Sequence, residues 1–186
     1  MSIRAIHVKP GQSVKYKDGV WSVVSNEKVA KGKGQSYQSV QLRNIQSGQL
    51  ITERFRTTEE FEEVFVDRKE MEYLYSDGAG HVMMDMETFE QVHVPAEMVG
   101  DSSVFLTPNA RVQVCIIEGK IVGVELPKTV VLTVTDTPPQ IKGATATNQD
   151  KEALCDTGAR VKVPPFIENG EQIQVDTRSG EYIGRA

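Results

Sequence analysis

Apolar residues recur at every second position through most of this chain. In "SVKYKDGVWSVVS", two runs rich in β-branched and aromatic residues flank Asp18-Gly19, and "QSVQLRNIQSGQLITERFR" repeats the arrangement around Ser47-Gly48. "MEYLYSDGAGHVMM" turns at Asp77-Gly78 and "RVQVCIIEGKIVGVEL" at Glu118-Gly119, while "TVVLTVTDT", "ARVKVPPF" and "EQIQVDTRSGEYIGR" complete the series. Period-two alternation broken by glycine-containing pairs predicts antiparallel hairpins. Helical periodicity is nearly absent. Its best candidate is "PAEMVGDSSVFL", where Pro95 is expected to open one short helix that Gly100 disturbs. Short strands with turns at this spacing predict an all-β chain of sandwiches or small barrels.

Two stretches suggest where the strands divide. The acidic run "TTEEFEEVFV" is expected to link a first domain to a second near residue 63, and the proline of "ELPKTV" to mark a junction near residue 127. The expected domains are therefore 1–63, 64–127 and 128–186. Each is small enough to bury only roughly 60% of the surface its unfolded chain exposes.

Composition fits a folded chain: 186 residues, 39% hydrophobic and 25% charged. Apolar stretches such as "IVGVEL" are too short to cross a bilayer, and "MSIRAIHVKPG" lacks the apolar core of a signal peptide, so no membrane association is expected. Cys115 and Cys155 stand in unrelated contexts, which fits a reduced, cytoplasmic setting better than a disulfide scaffold. The net charge of −5 argues against a protein that coats nucleic acid indiscriminately, but it is unevenly spread: +3 over 1–63, −7 over 64–127 and −1 over 128–186. One end suited to phosphates and a middle kept away from them is the reading this distribution favours.

Catalysis finds little support. His7, His81 and His93 lack metal-ligand spacing, neither cysteine belongs to a CxxC pair, and no nucleophile has a recognisable base. No enzyme, metal or cofactor is expected. The unusual stretch is "KVAKGKGQSY", which sets Lys31 and Lys33 among Gly32 and Gly34. It is no phosphate-binding P-loop, because Lys33 is followed by Gly34 and Gln35 and then by a strand rather than a helix. Two readings remain. One is an ordinary solvent-exposed hairpin tip. The other is an amine held out towards a crowded, phosphate-rich partner, with glycines clearing the approach.

"GKGQSY" within a hairpin, followed in order by "YLYSDG", "METFEQ", "ELPKTVVLTVTDTPPQIKGATA" and "TGARVKVPPFIENGEQIQVDTRSGEYIGRA", resembles the bacterial elongation factor P family over the whole chain. The resemblance implies an N-terminal SH3-like barrel of KOW type followed by two OB-fold β-barrels. It implies a monomeric, cytoplasmic translation factor that binds the ribosome between the peptidyl-tRNA and exit sites and relieves stalling at consecutive prolines. Lys33 matches the family's tip lysine, which in many members an enzyme extends so that it reaches the peptidyl-tRNA. Lys31, Gly32, Gly34 and Gln35 would support that loop; Arg43, Arg54 and Arg56 are candidate RNA phosphate contacts. Arg178 and Tyr182, in "DTRSGEY", are candidate small-subunit contacts.

The chain departs from the family in two places. Lys31 stands where many relatives have proline, and Ala30 replaces a frequent lysine, so whether and how Lys33 is modified stays open. Residues 147–153 read "TNQDKEA" where relatives often carry "GTGGKPA", a loop that approaches messenger RNA. The alternative function is that of a generic single-stranded RNA-binding OB-fold protein with no ribosomal role. The acidic middle segment and the 6% aromatic content weigh against it.

Overall fold

Strand alternation carries the whole architecture. The structure is a computed structural model and describes residues 1–30, 36–140 and 149–186. These resolve into two compact units, 1–70 with 113–125 and 71–112 with 126–186. Among the described residues no helix is long and apolar enough to cross a membrane.

The first unit holds β1 (Ser2–Arg4), β2 (Ser13–Tyr16), β3 (Gly19–Val29), β4 (Tyr37–Asn44), β5 (Leu50–Arg56) and β6 (Glu60–Val64), in the order β1-β6-β2-β3-β4-β5. Ala5, Val14, Trp21, Val23, Val40, Leu42, Phe55 and Phe61 fill its core. The Tyr16 ring meets Trp21, Phe55 and Phe61 edge-on, at centroid distances of 6.3, 5.3 and 6.3 Å, a favoured arrangement of aromatic quadrupoles. The Asn26 amide donates 2.8 Å hydrogen bonds to the carbonyls of both Ala5 and Val8, tying down the short 3-10 turn between them.

The acidic run expected to be a connection is in fact strand β6. Phe61 turns into the core, while Glu60 and Glu62 line up beside Arg4 and Lys15. Pairing with β1, whose Ser2 stands opposite Glu62, and with β2 creates this strand, which is why local composition disguised it.

A second sheet has the order β11-β10-β7-β8-β9, from β7 (Asp67–Asp77), β8 (Gly80–Asp85), β9 (Gln91–Pro95), β10 (Arg111–Ile117) and β11 (Lys120–Glu125). At the β10–β11 turn Glu118 and Gly119 both have positive φ, 49° and 77°, as a two-residue hairpin of the right twist requires. The expected helix after Pro95 is instead two 3-10 segments, Ala96–Met98 and Gly100–Phe105. Gly100, at φ +61°, opens the second of them.

The third sheet runs β14-β13-β12-β15-β16, from β12 (Thr129–Asp136), β13 (Lys151–Cys155), β14 (Arg160–Val163), β15 (Gln172–Asp176) and β16 (Tyr182–Arg185). Its core of Val130, Leu132, Val134, Val161, Val163, Ile167, Ile173 and Val175 is capped by Val104 and Phe105 from the second 3-10 segment. β9 and β13 are strands that the alternation in "QVHVP" and "KEALC" was too short to announce.

Candidate nucleic-acid interface

Lys31, Gly32, Lys33, Gly34 and Gln35 lie outside the described residues, as do 147 and 148 of the altered C-terminal loop. What the structure describes is the sheet that delivers them. β3 and β4 pair out to Val29↔Tyr37, so residues 30–36 close this hairpin.

Gln38, Val40 and Leu42 point into the core, which puts Tyr37, Ser39, Gln41 and Arg43 on the outward face of β4. The strand registers then arrange that face in rows. Tyr37 stands between Val29 and Arg56, Ser39 between Glu27 and Arg54, and Arg43 between Ser22 and Leu50. Arg54 reaches diagonally, and its guanidinium carbon lies 5.2 Å from the centre of the Tyr37 ring. Arg54 and Arg56 are exposed, and no carboxylate among the described residues pairs with either. Arg43 shares the face but sits six residues down β4 from Tyr37, about 20 Å away at roughly 3.3 Å per residue. The structure thus gathers Arg54 and Arg56 at the hairpin's closing end and leaves Arg43 at the other.

Two acids of this unit are engaged by lysines. Glu53 accepts from Lys17 at 2.9 Å and Glu62 from Lys15 at 2.8 Å; each ammonium holds its carboxylate below the ordinary range. Such exposed pairs add little stability, but they leave those two negative charges partnered by ammonium groups. Tyr37 is the residue that sequence reasoning missed. Its position in the alternation of "SYQSVQLR" was readable; its contact with Arg54 needed the register.

In the third sheet, "DTRSGE" closes the β15–β16 hairpin. Asp176 Oδ1 accepts from the backbone N–H groups of Arg178 (2.8 Å) and Ser179 (3.1 Å), and Gly180, at φ +72°, donates to the Asp176 carbonyl at 2.8 Å. These bonds hold the Asp176 carboxyl below its usual range. The Arg178 side chain is exposed, whereas Tyr182 packs against the core. The two candidates in this motif therefore differ in setting: Arg178 is exposed, and Tyr182 is half-buried with its ring against the core.

The chain matches three family models end to end: the elongation factor P KOW-like domain over residues 4–61, the elongation factor P OB domain over 66–124, and the elongation factor P C-terminal domain over 130–185. It is 41% identical over 186 residues to elongation factor P of Parvibaculum lavamentivorans, covering 100% of both chains, and 41% identical over the same span to that of Acidobacterium capsulatum. Among solved structures, a translation initiation factor eIF-5A family protein from Naegleria fowleri superposes with a TM-score of 0.50 at 17% identity, covering 68% of this chain and 98% of its own, a likeness of fold alone. The all-β architecture is accordingly an SH3-like barrel of KOW type followed by two OB-type barrels. With its full length matched at this identity, the chain belongs to the elongation factor P family, a family of translation elongation factors and not of enzymes.

Proposed function

We propose that this protein binds the ribosome beside the peptidyl-tRNA, between the peptidyl-tRNA and exit sites, and speeds peptide-bond formation at consecutive prolines by steadying that tRNA with Lys33. A translation elongation factor has the ribosome as its partner; the site, the tRNA and the lysine are our reading. The difficulty being relieved follows from proline itself. Its ring fixes φ and restricts the residue before it, so a chain ending in prolines fits poorly into a reactive pose. A misplacement of about 1 Å at a reacting centre costs on the order of 10²-fold in rate. A factor that restores alignment needs no bond chemistry of its own.

The observation that carries this reading is the hairpin whose strands pair to Val29↔Tyr37, with Lys33 in the connecting 30–36 segment and Arg54 and Arg56 exposed beside its end. The basic first segment would face RNA and the acidic second would be held off it. We take the working divisions as 1–63, 64–127 and 128–186, with Arg178 directed to the small subunit and the molecule acting as a cytoplasmic monomer. A lysine-modifying enzyme is a further partner if Lys33 carries an adduct, which the intact mass of natively expressed protein would reveal. Lys33→Ala should slow synthesis through proline runs and leave thermal unfolding unchanged. Equal proline-run rates for the variant and the wild type would overturn the role given to this amine.

A further inference from the structure

The proposed function leaves Tyr37 without a task, although its half-buried ring stands outside the core beside the end of the Lys33 hairpin. We propose that Tyr37 is a positioning residue. It holds the Arg54 guanidinium in place so that Arg54 and Arg56 together grip the sugar-phosphate backbone of RNA. This rests on the reading that the first barrel faces RNA, and it assigns the residues that make the contact.

Geometry carries the assignment. Tyr37 is directly opposite Arg56, and Arg54 is its diagonal neighbour through the Ser39 pair, an offset within reach of aromatic and long side chains. At 5.2 Å from the ring centre, the guanidinium lies inside the distance over which an aromatic face attracts a cation. A solvated arginine gives up much rotamer freedom when it binds; one drawn to an aromatic ring has given up part of it already. Arg54 stays exposed beside the ring, so its N–H donors are available to two phosphate oxygens. Arg56 adds a second charge two residues along the strand, about 6.6 Å away at roughly 3.3 Å per residue.

The surroundings favour a polyanion. Among the described residues β5 is the last strand of its sheet, and both arginines are exposed. Glu27 heads the same row, but it lies two strands away across Ser39, about 10 Å, a separation that salt largely screens. A carboxylate-bearing protein would also satisfy an arginine fork. RNA is favoured because the pair flanks the hairpin of the proposed tRNA contact, and because this is the one segment of the three with a net positive charge.

The test is equilibrium binding of the full-length protein to 70S ribosomes that carry a tRNA in the P site and have a vacant exit site, across a series of salt concentrations. Arg54→Ala should weaken binding and reduce the salt slope by about one. Tyr37→Leu should weaken it about two- to fivefold, the range of an exposed cation–π contact, with the slope unchanged because the charge remains. Tyr37→Phe should bind as wild type does, and the Tyr37→Leu/Arg54→Ala double variant no more weakly than Arg54→Ala alone. Full-strength binding by Tyr37→Leu, or additive losses in the double variant, would remove the positioning role. An undiminished slope in Arg54→Ala would overturn the phosphate contact in favour of a protein one. If wild type itself fails to bind these ribosomes, the broader reading falls and takes this inference with it.

Discussion

Gly123 lies directly against the backbone of Ile45: a β-carbon placed on it would come 2.8 Å from the Ile45 carbonyl oxygen and 3.1 Å from the Ile45 Cγ2. Ile45 is buried, and its N–H donates to the Val20 carbonyl at 3.1 Å, so it has little room to retreat. Gly123 itself pairs with Cys115 at the irregular step of the β10–β11 ladder.

Gly123→Ala should therefore destabilise the first unit by about 1–3 kcal/mol, the usual cost of overpacking. Thermal or urea unfolding reads this directly. An unchanged midpoint would mean that the turn carrying Ile45 yields more readily than its hydrogen bond implies.

One turn recurs in all three sheets as "NIQSGQ", "DMETFE" and "DTRSGE". Asn44, Asp85 and Asp176 each accept two backbone N–H bonds from the residues two and three further on. The fifth residue of each is left-handed: Gly48 at φ +72°, Gly180 at φ +72° and Phe89 at φ +59°. Only Phe89 carries a side chain there, and its ring is 67% exposed. Phe89→Gly should be neutral or stabilising by up to about 1 kcal/mol, because it removes backbone strain and almost no packing. Phe89→Val should destabilise, since β-branching fits this region worst. A clear loss of stability in Phe89→Gly would show that the ring supports the fold despite its exposure.

His81 is 7% exposed, with its Nδ1 2.7 Å from Ser76 Oγ, which in turn lies 2.7 Å from the Tyr73 hydroxyl. Burial lowers its pKa, and the nearby His93 adds to this while Asp77 opposes it. The folded state thus favours neutral imidazole, whereas the unfolded chain takes up its proton near pH 6.5. Below that pH the unfolded state binds more protons, so this residue's contribution falls as pH drops from about 6.5 towards the lowered folded value and is constant above it. Urea unfolding between pH 7.5 and 5 should show this loss, and His81→Gln should flatten it. Equal slopes in both proteins would assign the titration elsewhere.

The thiols are expected to be silent. Burial pushes Cys115 up to about 12 and Cys155 up to about 11, with Glu125 and Asp156 respectively adding to the effect. Since the thiolate is the reactive form, a disulfide reagent at pH 8 should label neither in the native protein and both after denaturation. Absorbance of the released thiol follows the reaction. Prompt labelling of native protein would contradict the packing of these residues.

The hairpins were legible where a turn pair stood between two alternating runs, as at Glu118-Gly119. At the first hairpin the loop residues are Lys17, at φ 51°, and Asp18, one position before the expected Asp18-Gly19, because Gly19 pairs with Tyr16 in the ladder. β6 was not, because its pattern of one inward phenylalanine among glutamates reads locally as solvated linker; Ser2, Arg4 and Lys15 pair with it from far along the chain. The recurring turn was also present in the sequence, but "NIQSGQ", "DMETFE" and "DTRSGE" share hydrogen-bonding chemistry more than letters. The candidate cations were all readable as arginines on strands or turns. That Arg54 belongs with Tyr37 and Arg43 does not was invisible.

By itself the sequence determined the all-β architecture, most hairpin positions, the glycine-flanked Lys33 and the likeness to a family of translation factors, because alternation and turn chemistry are local properties of a chain. Tertiary structure alone decided which side chains stand together. Alternation tells which face of a strand a residue occupies, but only the hydrogen-bond register between strands tells what lies beside it. That register is set by a core whose members are scattered from Ala5 to Phe61.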